Sequence, residues 1–187
     1  MPSSRCFIAL PLPDEPRRVL AQLYTDAPGF AWTPPAQLHV TLRFLGNVEA
    51  DLVTALQEKL RAVRVAPFLL PIEGVAAFPP RGDPQVLWAG LGRAHPRLFQ
   101  LRQQIDDSLL TVNMAADLRT FQPHITLARL RPGAAPVAAH HFLKRHREFA
   151  GPEFRVTRFA LYTSELTPTG PIHHLVEDYP LQTEAPS

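Results

Sequence analysis

The chain has 187 residues, of which 45% are hydrophobic, and a formal net charge of only +2; it has apolar material for a packed core and is not a disordered, fibrous or polycationic protein. Its one cysteine, Cys6, excludes an intrachain disulfide, and no apolar run approaches the length needed to span a bilayer. The start, "MPSSRCFIALPLPDEP", lacks the long apolar region and small-residue cleavage site of a secretory signal, so a cytoplasmic protein is expected.

In chain order, "RCFIALPLP" predicts a first strand ended by Pro11 and Pro13. "DEPRRVLAQLY" predicts a helix with Asp14 as N-cap, Pro16 in its first turn, and Val19, Leu20 and Leu23 at helical spacing. "DAPGFAWTPPAQ" is turn-like, and "LHVTLRFLG" alternates as a strand does. Leu38, Val40, Leu42 and Phe44 fall on one side of it, and His39, Thr41 and Arg43 on the other. "EADLVTALQEKLRAVRV" is the clearest amphipathic helix, with Leu52, Val53, Leu56, Leu60 and Val63 on one face.

"FLLPIEGVAAF" and "QVLWAGL" predict two strands around the turn region "PPRGDP". "HPRLFQLRQQIDDSLL" predicts a second amphipathic helix carrying Leu98, Leu101, Ile105 and Leu109, followed by the strand "FQPHITLARL". "RPGAAPVAAHHFLKRHREFAG" is a loop with a short helix; "EFRVTRFALYTSEL" and "IHHLVEDYPL" are closing strands separated by "TPTGP". The expected class is α+β, with helices packed on largely antiparallel sheet and no domain linker. A single two-lobed domain over residues 1–187 is expected, with a disordered tail at 182–187.

"LHVTLRFL" at 38–45 is echoed by "PHITLARL" at 123–130, and His39 and His124 stand 85 residues apart, close to half the chain. This repeat suggests a duplicated lobe whose two His-x-Thr faces could line one groove. Two imidazoles titrating near neutrality can serve as proton acceptor and proton donor, and two threonine hydroxyls can hold phosphate oxygens. Together they form a metal-free acid–base device for a P–O bond. The cations, 17 Arg against 2 Lys, are almost all guanidinium groups, which suit phosphate.

The paired motifs "HVTL" and "HITL" resemble those of the two-histidine phosphoesterase superfamily. The likeness is closest to its RNA 2',3'-cyclic phosphodiesterase branch, also called 2'-5' RNA ligase-like proteins. It extends to "RCFIALPLPDE", "WTPPAQLHVTLRFLGNV", "FQPHITLARL" and "LYTSELTPTGPIHHLVEDYPL", nearly the whole chain. The resemblance implies a bilobal duplicated fold, with two mainly antiparallel sheets facing a central groove and helices outside. It further implies an RNA 2',3'-cyclic 3'-phosphodiesterase that opens a terminal 2',3'-cyclic phosphate to a 2'-phosphate without metal or cofactor. On it, His39 corresponds to the proton donor, His124 to the proton acceptor, and Thr41 and Thr126 to phosphate-binding residues. Arg129 also matches a family position near the cleft, whereas "GPIHHL" departs from the Arg and aromatic residue common there.

Arg43, on the polar side of its strand under strict alternation, could reach a phosphate or an RNA base, or project to solvent at the strand end. Alternation puts Arg129 with Ile125 and Leu127, so it must lie past the regular strand, at a rim or bulge, or else the chain twists there. Phe44 is expected in the core, Trp32 and Trp88 as core or loop anchors, and Cys6 buried and inert. His140, His141 and His146 stand in an Arg/Lys-rich segment that opposes a metal site, and of His173 and His174 one is expected to face the groove. A monomer acting on RNA ends or nucleotides with a 2',3'-cyclic phosphate is expected. The rivals are 2'-5' ligation by the reverse reaction and a non-catalytic RNA- or nucleotide-binding module; a metal hydrolase lacks carboxylate partners near the two histidines.

Overall fold

A computed structural model of the chain describes residues 3–168 and 170–182. Along it run β1 (Ser3–Pro11), α1 (Asp14–Ala21), β2 (Phe30–Trp32), β3 (His39–Glu49), α2 (Ala50–Leu60), β4 (Phe68–Glu73), β5 (Val75–Phe78) and β6 (Val86–Gly90). Then follow α3 (Pro96–Leu110), β7 (His124–Leu130), α4 (Pro136–His146), β8 (Ala150–Val156), β9 (Arg158–Thr167) and β10 (Gly170–Pro180). Eight strands form one antiparallel sheet in the order β10, β9, β1, β3, β7, β6, β5, with β2 paired to β7; β4 and β8 form a second, two-stranded sheet. The α+β class and the presence of two antiparallel sheets agree with the sequence reading, but both motif strands belong to the larger sheet, so the two motifs share one sheet face rather than facing each other from two sheets.

The two motif strands are neighbours at the middle of the large sheet, joined where Val40 of β3 pairs with Ile125 of β7. Motif-bearing halves are therefore stitched into one surface. Residues Cys6 to Leu10 of β1 are all buried, as expected of a strand covered on both faces, so their apolar run shows no alternation. Helix α3 buries Leu98, Leu101, Ile105 and Leu109, and α2 buries Leu56 and Leu60, the stripes their 3.6-residue period predicts. These residues join one hydrophobic core with Val40, Leu42, Ile125 and Leu127.

Four local expectations are corrected. Helix α1 has Pro13, not Asp14, at its N-cap position and no side-chain cap; Asp14 and Glu15 instead lie in the first turn, favourably placed for the helix dipole. "FLLPIEGVAAF" is two strands in different sheets, broken at Gly74, whose φ of +72° is a left-handed conformation that glycine adopts without steric cost. "EFRVTRFALYTSEL" is likewise two strands, separated at Thr157, whose carbonyl accepts a hydrogen bond from Leu181 N–H at 2.8 Å. The turn-like segment before the first motif contains β2, too short for a periodic signal. Of the expected disordered tail, residues 183–187 lie outside the described residues. Among the described residues no helix is long and apolar enough to cross a membrane.

Candidate active site

Val40 and Ile125 point into the core, both 0% exposed. Alternation therefore turns His39 and Thr41 of β3, and His124 and Thr126 of β7, to the opposite face of the sheet, where all four are half-buried. The antiparallel register around Val40 and Ile125 sets them crosswise, His39 on the Thr126 side and Thr41 on the His124 side. The four residues share one patch with a pseudo-two-fold relation between its halves.

Each imidazole is braced in the same way. Nδ1 of His39 lies 2.7 Å from the Gln37 carbonyl, and Nδ1 of His124 lies 2.7 Å from the Gln122 carbonyl. A carbonyl can only accept, so each Nδ1 carries the hydrogen, and in the neutral ring Nε2 holds the lone pair. Nε2 of His39 is 3.0 Å from the Thr41 hydroxyl. Burial pushes His39 down to about 4, with His173 and His124 further disfavouring its charge. His124 is also lowered, first by burial and then by the charge of Arg129, partly opposed by its bond to the Gln122 carbonyl.

After the threonine, both strands bulge. On β3, Ala9 of β1 faces Thr41 while Ile8 faces Arg43, leaving Leu42 extra; on β7, Trp88 of β6 faces Thr126 while Leu87 faces Ala128, leaving Leu127 extra. The bulge puts two successive residues inward, Leu42 with Arg43 and Leu127 with Ala128, all buried. It also returns the next residue, Phe44 or Arg129, to the histidine face. Arg129 thus reaches the groove through a bulge, and Phe44, expected in the core, is 49% exposed, its ring 6.2 Å from that of Phe7.

Arg43 is the main correction. The bulge removes it from the histidine face and buries it, 6% exposed, beneath β3. There Nη1 pairs with Asp117 at 2.8 Å, Nε faces Asp106 at 3.4 Å, and Nη2 donates to the Ala115 carbonyl at 2.5 Å. A buried guanidinium needs this compensation, and the carboxylates lie too far along the chain for the local pattern to show them.

The walls of the groove differ between the halves. Around His39 stand Phe7 at 5.1 Å and His173 at 5.2 Å between ring centroids, with Tyr162 stacked on Phe7 at 5.2 Å. With Pro11, Gln37 and Arg17 of α1 they line a cavity of about 60 Å³. His173 is the groove-facing member of its pair, lowered by burial and by His174, while His174 lies 3.5 Å from Glu165. Around His124 stand Phe78 at 5.0 Å and Trp88 at 5.7 Å, so Trp88 is a groove wall and not a core anchor. Local patterns hold no signal for Phe7, Arg17, Tyr162 and Phe78; sheet order brings the three aromatic residues here, and the placement of α1 brings Arg17. Cys6 is buried as expected. A larger cavity, about 530 Å³, opens away from the motifs between α4 and the segment before β2, lined among others by Tyr24, Phe142, His141 and His146. Among the described residues no three His, Cys, Asp or Glu side chains converge as metal ligands would.

The model of the LigT like Phosphoesterase family matches residues 10–88 and 92–173, spanning both motifs. The chain belongs to this family. A LigT-like relative named RNA 2',3'-cyclic phosphodiesterase, from Thermus thermophilus, is 36% identical over 190 residues, covering 96% of the chain and 91% of that protein. Another so named, from Geobacillus stearothermophilus, is 32% identical over 97% of the chain, which spans only 58% of that longer protein. A solved structure from Thermus thermophilus superposes with a TM-score of 0.81 at 30% identity, covering 97% of this chain and all, 100%, of that one.

Proposed function

We propose that this LigT-like chain is an RNA 2',3'-cyclic phosphodiesterase that opens the cyclic phosphate to a 2'-phosphate by acid–base catalysis between His39 and His124, without a metal. The names of these relatives supply the substrate class. The observation that carries the mechanism is the meeting of both His-x-Thr faces on one side of the sheet at the Val40–Ile125 pair. Because both motifs belong to one chain, a monomer suffices. Cytoplasmic RNA ends are the proposed setting, where the lone buried thiol of Cys6 would stay reduced.

In this mechanism Nε2 of neutral His124 takes a proton from water as the water oxygen bonds to phosphorus. The P–O3' bond breaks, and protonated His39 gives its Nε2 proton to the departing O3'. Thr41, Thr126 and Arg129 bind the non-bridging oxygens, whose charge rises as the fifth bond forms. His39 is well suited to give up a proton, because a buried imidazolium is a strong acid. The bound phosphodiester's negative charge offsets that burial and lets His39 become charged. Each histidine contributes roughly 10²–10⁴-fold in rate.

The test is ³¹P NMR of a 2',3'-cyclic nucleotide incubated with the protein in excess EDTA. A 2'-monophosphate is expected. Turnover that appears only with added metal, or a 3'-monophosphate, contradicts the mechanism; binding without turnover is the outcome of an idle binding module.

A further inference from the structure

Two arginines lie beneath the first motif on the face away from the groove, and both reach the segment that leads into the second. That segment, residues 111–123, has no helix or strand of its own, an unusual length for a connection inside a packed domain unless something holds it. Arg43, at the β3 bulge, grips it at the Ala115 carbonyl and the Asp117 carboxylate. Arg102 of α3 donates to the Leu42 carbonyl in the same bulge, pairs with Asp106 at 2.6 Å, and lies over the Phe121 ring at 5.2 Å. Phe121 adjoins Gln122, whose carbonyl is the brace on His124 Nδ1. A continuous chain of contacts thus runs from the back of the first motif to the imidazole of the second.

The reciprocal connection is made differently. The Leu127 carbonyl in the β7 bulge accepts directly from Thr33 N–H at 2.8 Å, in the segment that leads into His39. Each bulge therefore holds the approach to the other motif, by a backbone bond in one direction and by arginine side chains in the other. The position matching Arg43 in the second motif is Ala128, which has nothing to reach with.

We propose that Arg43 is a positioning residue for His124: it fixes the 111–123 segment, so that the Gln122 carbonyl keeps the proton on Nδ1 and the lone pair of Nε2 aimed into the groove. Arg43 itself touches neither substrate nor groove. This rests on the reading of His124 as proton acceptor, and it makes the acceptor's alignment depend on a side chain belonging to the donor's strand.

The experiment compares wild type with Arg43→Lys, which keeps the charge but loses the planar fork whose separate nitrogens meet the Ala115 carbonyl and the Asp117 and Asp106 carboxylates. Long-range ¹H–¹⁵N correlation of the imidazoles reads the tautomer, and steady-state kinetics with a 2',3'-cyclic nucleotide read kcat and KM. His124 is expected to become a mixture of tautomers while His39 stays Nδ1-protonated, and kcat to fall roughly 10- to 100-fold, as small misalignments do, with KM little changed. Asp117→Asn, which loosens the same grip, is expected to do likewise and serves if Arg43→Lys does not fold. The proposal is overturned if a folded variant leaves the His124 tautomer unchanged, or if His39 and His124 change together, the mark of general loosening. Should His124→Ala retain the wild-type rate, the catalytic reading fails, and the tautomer measurement still decides the positioning claim.

Discussion

The two motifs are alike on the groove face and unlike behind it. Each has its histidine braced at Nδ1 by a carbonyl two residues earlier, a threonine two residues later, and a bulge just after. Behind the bulge one half has the charged cluster of Arg43, Arg102, Asp106 and Asp117, and the other has Ala128 packed in the core. In front, the residue the bulge turns outward is Phe44 in one half and Arg129 in the other. In the proposed mechanism the shared features orient a proton-transfer group and a phosphate ligand. The differences put an aromatic side chain at that position in one half and a cation in the other, so two otherwise matching halves form an asymmetric groove.

Changes that break the shared features should have the largest effects. His39→Ala and His124→Ala should each lower kcat by about 10²–10⁴, measured on a 2',3'-cyclic nucleotide in EDTA. Thr41→Ala and Thr126→Ala remove a donor to a charged oxygen and should cost about 1.5–3 kcal/mol of transition-state stabilisation each, read from kcat/KM. Thr41→Ala also frees Nε2 of His39 from its 3.0 Å contact, so the two threonine variants should differ in pH profile. Among the differing features, Arg129→Ala should raise KM and, by removing a cation that disfavours charged His124, move the pKa of His124 upward; NMR titration of the imidazole reads the shift. The smallest effect is on the fold: Gly74→Ala should cost about 1–2 kcal/mol for its left-handed backbone, seen in urea unfolding, with kcat of the folded protein unaltered.

The pair of histidines was legible because a repeated motif needs no register to be found. Register itself was harder. Strict alternation placed Arg129 among core residues, and that conflict pointed to a bulge, which β7 has. The same bulge on β3 raised no conflict, because alternation put Arg43 on a polar side and Phe44 on an apolar one, an agreeable pattern that is reversed in the fold. What makes a buried arginine tolerable here is Asp106 and Asp117, brought near by tertiary packing that no local window contains. The strand breaks at Gly74 and Thr157 are hidden in the sequence for a similar reason: an apolar run does not say which of two sheets its halves join. Groove walls such as Phe7 and Trp88 face the histidines only because β1 neighbours β3 and β6 neighbours β7.

The central claim, that His39 and His124 act as one acid–base pair, is tested most directly by the pH dependence of kcat/KM in EDTA for wild type and each single alanine variant. Donation requires a charged His39 and acceptance a neutral His124, so the wild-type profile should be bell-shaped. Burial lowers both groups, so the bell should be centred on the acid side of histidine's ordinary value of about 6.5, with activity falling as pH rises beyond it. His39→Ala should lose the fall at high pH, and His124→Ala the fall at low pH. A wild-type profile flat from about pH 5 to 9, or limbs that persist in both variants, would contradict the pairing.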